Sequence, residues 1–322
     1  MWTMRRFLAA GIPSWRPALA QRFVKTCVTA RSSMVSAATA TATVSGGLVL
    51  AYRPPCFCST SEAEDLALSA DDEDLLPSVL DAGMRTLRGW SQAPASWWDE
   101  SKSVKLSDLQ DAVHCAKRME GFPVRLHMVS AVWDDTSLDE LLVLTEASES
   151  CLKLSFDPAL DSIVTRKHVT GRDGREGPKA RLIRTITKPM LLGLISAREV
   201  DSIVLDKAAQ PDGSILGGSL GLQSPLMAEK IRQKDALRAL SSAPPTPGRI
   251  RAIDHTSGYI FEPMDAGARS GSGVRGKWKV YSIFLSEAGG GVPTWAAEKG
   301  VAKAIEDWFV CARKQQHLQR NR

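Results

Sequence analysis

Four pieces follow one another in the stretch from Gly248 to Lys314: Gly248-Arg-Ile-Arg-Ala252, Ser257-Gly-Tyr-Ile-Phe-Glu-Pro-Met264, Lys277-Trp-Lys-Val-Tyr-Ser-Ile-Phe-Leu285 and Val292-Pro-Thr-Trp295. Their order decides the fold. Tyr259, Ile260 and Phe261 are strand formers, and Pro263 closes that run because it lacks an amide donor. Trp278 to Leu285 is rich in β-branched and aromatic residues and is bounded by the glycines from Gly289 to Gly291, which predicts a second strand. Pro293 suits the first turn of a helix, where no amide donor is needed.

The helix that follows is two-faced. On a 3.6-residue wheel Trp295, Val301, Ala302, Ile305, Trp308, Phe309 and Ala312 fall on one side. Lys299, Lys303, Glu306, Asp307 and Lys314 fall on the other. Such a helix must bury its apolar side, and the strands just before it are the partner in reach.

This succession of strand, long Gly/Ser loop, strand, glycine turn, Pro-x-Trp and terminal amphipathic helix resembles the end of a StAR-related lipid transfer (START) domain. Upstream, Pro123 to Trp133 resembles that family's first long strand, and Leu138 to Leu144 its first helix. Phe156-Asp157-Pro158 stands where the family has an aromatic-Asp-Pro step. Ser196 to Val200 resembles an Arg-Asp-Phe strand start, and Asp212-Gly213-Ser214 fits the next hairpin turn. The resemblance covers residues 105–314. It implies an α+β helix-grip fold, in which a curved antiparallel sheet wraps around the long C-terminal helix. It also implies a lipid-sized cavity between the two, a lipid (phospholipid or sterol) as ligand, no cofactor, no catalysis, transient contact with a membrane surface and a monomeric state. Asp265 to Gly276 lies where the family's gating loop lies, and its four glycines predict mobility.

Charge is unevenly placed. Seven basic residues (Arg5, Arg6, Arg16, Arg22, Lys25, Arg31 and Arg53) precede the first acid, Glu62. Removing them from 41 leaves 34 basic against 36 acidic residues, so the body is near −2 although the chain is +5. The basic balance belongs to the leader, which argues against a nucleic-acid partner for the folded part. Residues 1–61 are rich in Arg, Ser, Thr and Ala and free of acid. Leu8, Ile12, Trp15, Leu19 and Phe23 recur at helical spacing. That is the composition of a mitochondrial transit peptide, with a plastid-type leader as the alternative. Val44 to Tyr52 is too short to span a bilayer, which needs ~20 residues.

Residues 62–104 read as a linker and N-terminal extension. Within them Leu75 to Arg88 predicts a short helix, and Trp90, Trp97 and Trp98 predict packing onto the domain. The pattern predicts a helix over Ser107 to Met119 capped by Ser107, and half-buried alternation from Val124 to Ala131. Strands are expected over Ile163–Val169, Arg181–Thr187, Val200–Leu205 and Ser214–Leu222. In the last, Gly217, Gly218 and Gly221 predict close backbone approach. Residues 226–247 form a basic helical insert with a proline-rich end, beyond the family pattern. Residues 315–322 are a basic tail.

Catalytic and metal patterns are missing. His114, His127, His168, His255 and His317 show no metal spacing, and no Gly-x-Ser-x-Gly elbow occurs. Gly217 to Gly221 lacks the Gly-Lys-Ser/Thr end of a phosphate loop, and the six cysteines form no paired framework. The ligand-facing set that the resemblance implies is Arg184, Ile186, Ile260, Glu262, Val280, Phe284, Trp295, Ile305, Trp308 and Phe309. Arg184 and Glu262 are its polar members, in phase with Leu182, Ile186 and Ile260. Sterol-carrying relatives place a charged pair in the cavity. The strand after Arg198-Glu199 offers Ser202 and Val204 instead, which weakens the case for a sterol. The alternatives left open are a mitochondrial scaffold of the same fold without a ligand and an enzyme of the wider helix-grip superfamily.

Overall fold

The computed structural model describes residues 82–169, 180–189, 196–227, 235–269 and 273–321. The leader expected over residues 1–61 lies outside them. The described chain runs α1 (82–91), a 3₁₀ turn at Ala95–Trp97, β1 (Glu100–Ser103), β2 (Gln110–Arg118), β3 (Arg125–Ser137), α2 (Leu138–Leu144) and α3 (Lys153–Phe156). It continues through β4 (Leu160–Val169), β5 (Ala180–Thr187), β6 (Arg198–Ala209), β7 (Ile215–Gly221), α4 (Asp235–Ser242), β8 (Ile250–Arg251) and β9 (Ile253–Pro263). α5 (Ala266–Arg269), β10 (Arg275–Glu287) and α6 (Thr294–Arg320) complete it.

All ten strands join one curved sheet in the order β1-β2-β3-β10-β9-β7-β6-β5-β4, with β8 pairing parallel to β6. The other ladders are antiparallel. α6 packs on the concave face, so the architecture is the helix-grip α+β fold. β9 and β10 sit at the middle of the sheet and pair over ten register positions from Trp278 to Glu287. The stretch that names the fold is thus its centre.

Both faces of the sheet are covered. On the concave face Val129, Ala131, Trp133, Phe261, Trp278 and Val280 pack with Ile305, Trp308, Phe309 and Ala312 of α6. On the convex face Leu126, Met128, Leu216, Leu220, Ile260, Ile283 and Leu285 pack with Met84 and Leu87 of α1 and with Trp98. Trp90 and Trp97 lean on the same core, as expected. Leu87 lies over Gly218 and Gly258, where an added Cβ would stand 2.7 Å from its Cδ1. Glycine is required there because no side chain fits between helix and sheet.

Several expectations change. Ser107 to Met119 is not a helix: Ser107 has a φ of 58°, and Gln110 to Arg118 pair with β3 and β1. The helix formers in that segment are overruled by a ladder closed at Gly121, which turns the chain with a φ of 79°. β3 is buried on both faces from Leu126 to Trp133 and not on one. Residues 82–103, expected as an extension, supply an edge strand and the convex-face helix. Of the expected insert helix, Asp235–Ser242 is helical and residues 228–234 lie outside the described residues; Met227 and Leu237 anchor its neighbourhood to the convex core.

α2 begins as its sequence demands. Ser137 Oγ accepts from the Glu140 amide and Glu140 Oε2 accepts from the Ser137 amide, a reciprocal capping box. The described ends of the Asp265–Gly276 loop are ordered. Asp265 accepts from the amides of Ala268 and Lys277, and Ala268 is buried.

Candidate functional site

Register places the polar groups that face α6. Opposite one another across the sheet lie His127 (β3), Phe284 (β10), Ser257 (β9), Ser219 (β7) and Val204 (β6). The next row holds Val129, Ser282, Tyr259 and Gly217. The third holds Ala131, Val280, Phe261 and Ile215. One end of the concave face is thus apolar and the other polar.

Tyr259, Phe284, Ser219 and Val204 keep some accessible surface although they lie on inner strands. Their neighbours on the other face, Ile260, Ile283, Leu220 and Ile203, are at most 3% exposed. A separate open cleft of about 420 Å³ lies near the Trp278 end, lined by Leu138, Ala268, Arg269 and the turn Pro211–Gly213.

Three polar groupings stand on this side. His114 Nδ1 lies 2.9 Å from Glu306 of α6, and His114 Nε2 lies 3.1 Å from His127 Nδ1. Nε2 of His127 has no partner. Burial pushes His127 down to about 4, with the charges of His114 and Arg125 adding to it, and burial lowers His114 as well. Both rings are therefore neutral at pH 7. The second grouping is Asp254, whose carboxylate accepts from Ser219 at 2.6 Å, Ser257 at 2.9 Å and Ser286 at 3.0 Å. Burial raises its pKa against those hydroxyls. The third is Lys153 of α3, whose Nζ lies 3.1 Å from the Tyr259 hydroxyl and 3.9 Å from Asp157 Oδ2. The Tyr259 ring lies 4.8 Å from that of Trp308.

α6 is fastened most firmly at its C-terminal half. Arg313 donates to Asp108 at 3.0 Å, Gln316 to Thr136 and Glu140, and Arg320 to both oxygens of Glu140. Burial, the largest single influence, would raise Glu140, but the bonds from Arg320, the Ser137 amide and Gln316, with the charge of Arg320, together outweigh it and hold the carboxyl at about 2. Towards its start the helix has Glu306 on His114 and Glu298 3.8 Å from Arg118.

Of the ten expected ligand-facing residues, Val280, Phe284, Ile305, Trp308 and Phe309 are brought together between sheet and helix. Arg184, Ile186, Ile260 and Glu262 are not. They belong to the convex face, where Leu182, Ile203 and Ile260 join the core under α1. Arg184 donates to Asp201 at 2.8 and 3.0 Å and pairs with Glu199 at 3.2 Å. Arg251 joins the same two acids, and Thr246 donates to Glu199, so this buried network ties residues 243–252 to the sheet. Glu262 accepts from the Tyr281 hydroxyl at 2.8 Å. The error is one residue of phase, which moves every side chain to the opposite face. Tyr259, Ile260 and Phe261 are all apolar, so alternation could not settle the phase. Trp295 is 66% exposed, with Lys299 5.6 Å over its ring. At 100° per residue it stands at the margin of the stripe formed by Ile305, Trp308, Phe309 and Ala312, in a turn that precedes the packed part.

His114, His127, Lys153, Tyr259, Ser282 and Asp254 were not singled out for this site. They are scattered from β2 to β10, and only pairing brings them together. Among the described residues no group of His, Cys, Asp or Glu is arranged to hold a metal, and no helix is long and apolar enough to cross a membrane.

Solved structures carry the same architecture. Human StAR-related lipid transfer protein 5 superposes with a TM-score of 0.54 at 17% identity, over 75% of this chain and 97% of its own. The fold is that of a START domain. Human STARD10 gives 0.52 at 11% identity, over 75% of this chain and 82% of its own. No protein-family model matches the sequence, and no curated protein matches it significantly.

Proposed function

We propose that this START-fold chain binds one lipid between the concave face of the sheet and α6 and carries it between membranes without chemical change. The observation that carries the reading is the unequal burial of neighbouring residues: Tyr259, Phe284, Ser219 and Val204, which face α6, keep accessible surface, and Ile260, Ile283, Leu220 and Ile203 on the other face are at most 3% exposed. An acyl chain seated there exchanges bilayer for protein, retaining about 0.8 kcal/mol per buried CH₂. The lipid-transfer function in the name of the similar human protein agrees with it. Exposed Trp295, beside the lightly held start of α6, is an aromatic suited to a bilayer interface during loading. The acid-free leader directs the chain to mitochondria, and the body acts as a monomer.

Native mass spectrometry of the purified body should show a co-purifying lipid that extraction removes. The body should also move labelled lipid between vesicles. Protein that elutes empty and transfers none of a phospholipid, fatty acid or sterol panel would overturn the reading. For the leader, residues 1–61 fused to a reporter should reach mitochondria, and a reporter left in the cytosol rejects that part.

A further inference from the structure

The interior beside the middle of α6 holds more hydrogen-bond donors than acceptors. Lys153 Nζ has three N–H groups. One meets the Tyr259 oxygen at 3.1 Å, and Asp157 Oδ2 at 3.9 Å is beyond hydrogen-bond reach. Asp157 is itself engaged, since its Oδ1 accepts from the Ala159 amide at 3.0 Å. Tyr259, accepting from the ammonium, keeps its own proton to donate. Trp308, in ring contact with Tyr259, has an indole Nε1–H that is buried without a partner. Ser282 is opposite Tyr259 in the ladder, and the Tyr259 hydroxyl is the one partner its buried hydroxyl has within reach among the described residues.

Unsatisfied buried donors are costly, and the indole and the ammonium cannot turn into acceptors. Lys153 is held by α3 beneath the sheet edge and lies against the Tyr259 ring at 5.3 Å, so it is not a surface lysine folded inwards by chance. Asp254 is answered by three serine hydroxyls, which leaves Asp157, 3.9 Å away, as the carboxylate nearest to Lys153.

We infer that Lys153, Tyr259, Ser282 and Trp308 form the headgroup end of the ligand site and select a lipid ending in an oxyanion, a carboxylate or a phosphate monoester. The inference rests on the lipid-binding reading above and sharpens it. An oxyanion offers several lone pairs to donors that have none, and charge-assisted hydrogen bonds are about twice as strong as neutral ones. A choline-headed or hydroxyl-headed lipid of the same chain length brings either a second cation or a single weak acceptor.

The test measures affinity of the folded body for two matched pairs: palmitate against hexadecanol, and dioleoyl phosphatidic acid against dioleoyl phosphatidylcholine. The expected result is a preference of about tenfold or more for the oxyanion member of at least one pair. The pair that shows it tells carboxylate from phosphate. Lys153→Met, which keeps the volume and removes the charge, should abolish the preference by weakening binding of the oxyanion member. Lys153→Arg should keep most of the preference. If Lys153→Met fails to fold, Tyr259→Phe removes a single hydroxyl and should still reduce the preference several-fold. Neutral lipids bound as tightly as oxyanionic ones, or a preference that survives Lys153→Met, overturns the inference and leaves lipid binding standing. Binding of no lipid in either pair overturns both.

Discussion

The two faces of the sheet are closed in different ways. On the convex side Met84 and Leu87 press on glycines of β7 and β9, and Arg184, Arg251, Glu199 and Asp201 knit the insert to the sheet. On the concave side α6 is bolted at its C-terminal half through Arg313, Gln316 and Arg320, while Tyr259 and Phe284 keep accessible surface. The difference teaches where stability and ligand binding separate. A substitution on the convex face should change one of them and a substitution on the concave face both.

The largest effect is expected from Trp308→Ala. It deletes a buried ring that touches Trp133, Tyr259 and Phe309, at a cost of about 3–5 kcal/mol. Lipid affinity should fall with the urea midpoint. An unchanged affinity would detach the ligand from this face. Next comes Arg184→Met, which leaves Asp201 and Glu199 short of a buried partner and should cost about 3 kcal/mol. Lipid affinity should stay as it was. A loss of affinity without a loss of stability would restore Arg184 to the ligand site and refute the register.

A pH titration probes the seam between β2, β3 and α6. Unfolded, His127 titrates near 6.5, and folded at about 4, because burial, His114 and Arg125 disfavour its charge, with Lys102 adding to and Glu100 opposing them. The unfolded chain takes the proton first. Stability is therefore full above pH 6.5 and declines as pH falls towards about 4, by up to about 3 kcal/mol. In His127→Gln the difference in urea midpoint between these pH values should shrink, and a slope unaltered by that change would assign the acid sensitivity elsewhere. The smallest effect is expected from Lys303→Ala. Its ammonium is 69% exposed and meets only Asp307 one turn on, so the midpoint should move within about 0.5 kcal/mol. Equal shifts for Lys303→Ala and Trp308→Ala would mean that the helix faces are misassigned.

Local chemistry was enough to determine much of this protein from its sequence. The β9–β10 strands, the glycine turn, the two-faced terminal helix, α2 and Gly218 under Leu87 each declare themselves within a few residues, because period, proline and glycine act over one or two turns. The tertiary structure alone decided which phase of β5 and β9 faces the helix, since Leu182 and Ile183, and Tyr259, Ile260 and Phe261, are apolar in succession and either register would bury something. It alone turned Gln110–Arg118 into a strand, because a long ladder with β3 outweighs the helix propensity of that segment. And it alone assembled the interior: Lys153, Tyr259, Ser282 and Trp308 span more than half of the described chain, and only the pairing of β9 with β10 and the seating of α6 and α3 bring their donors together.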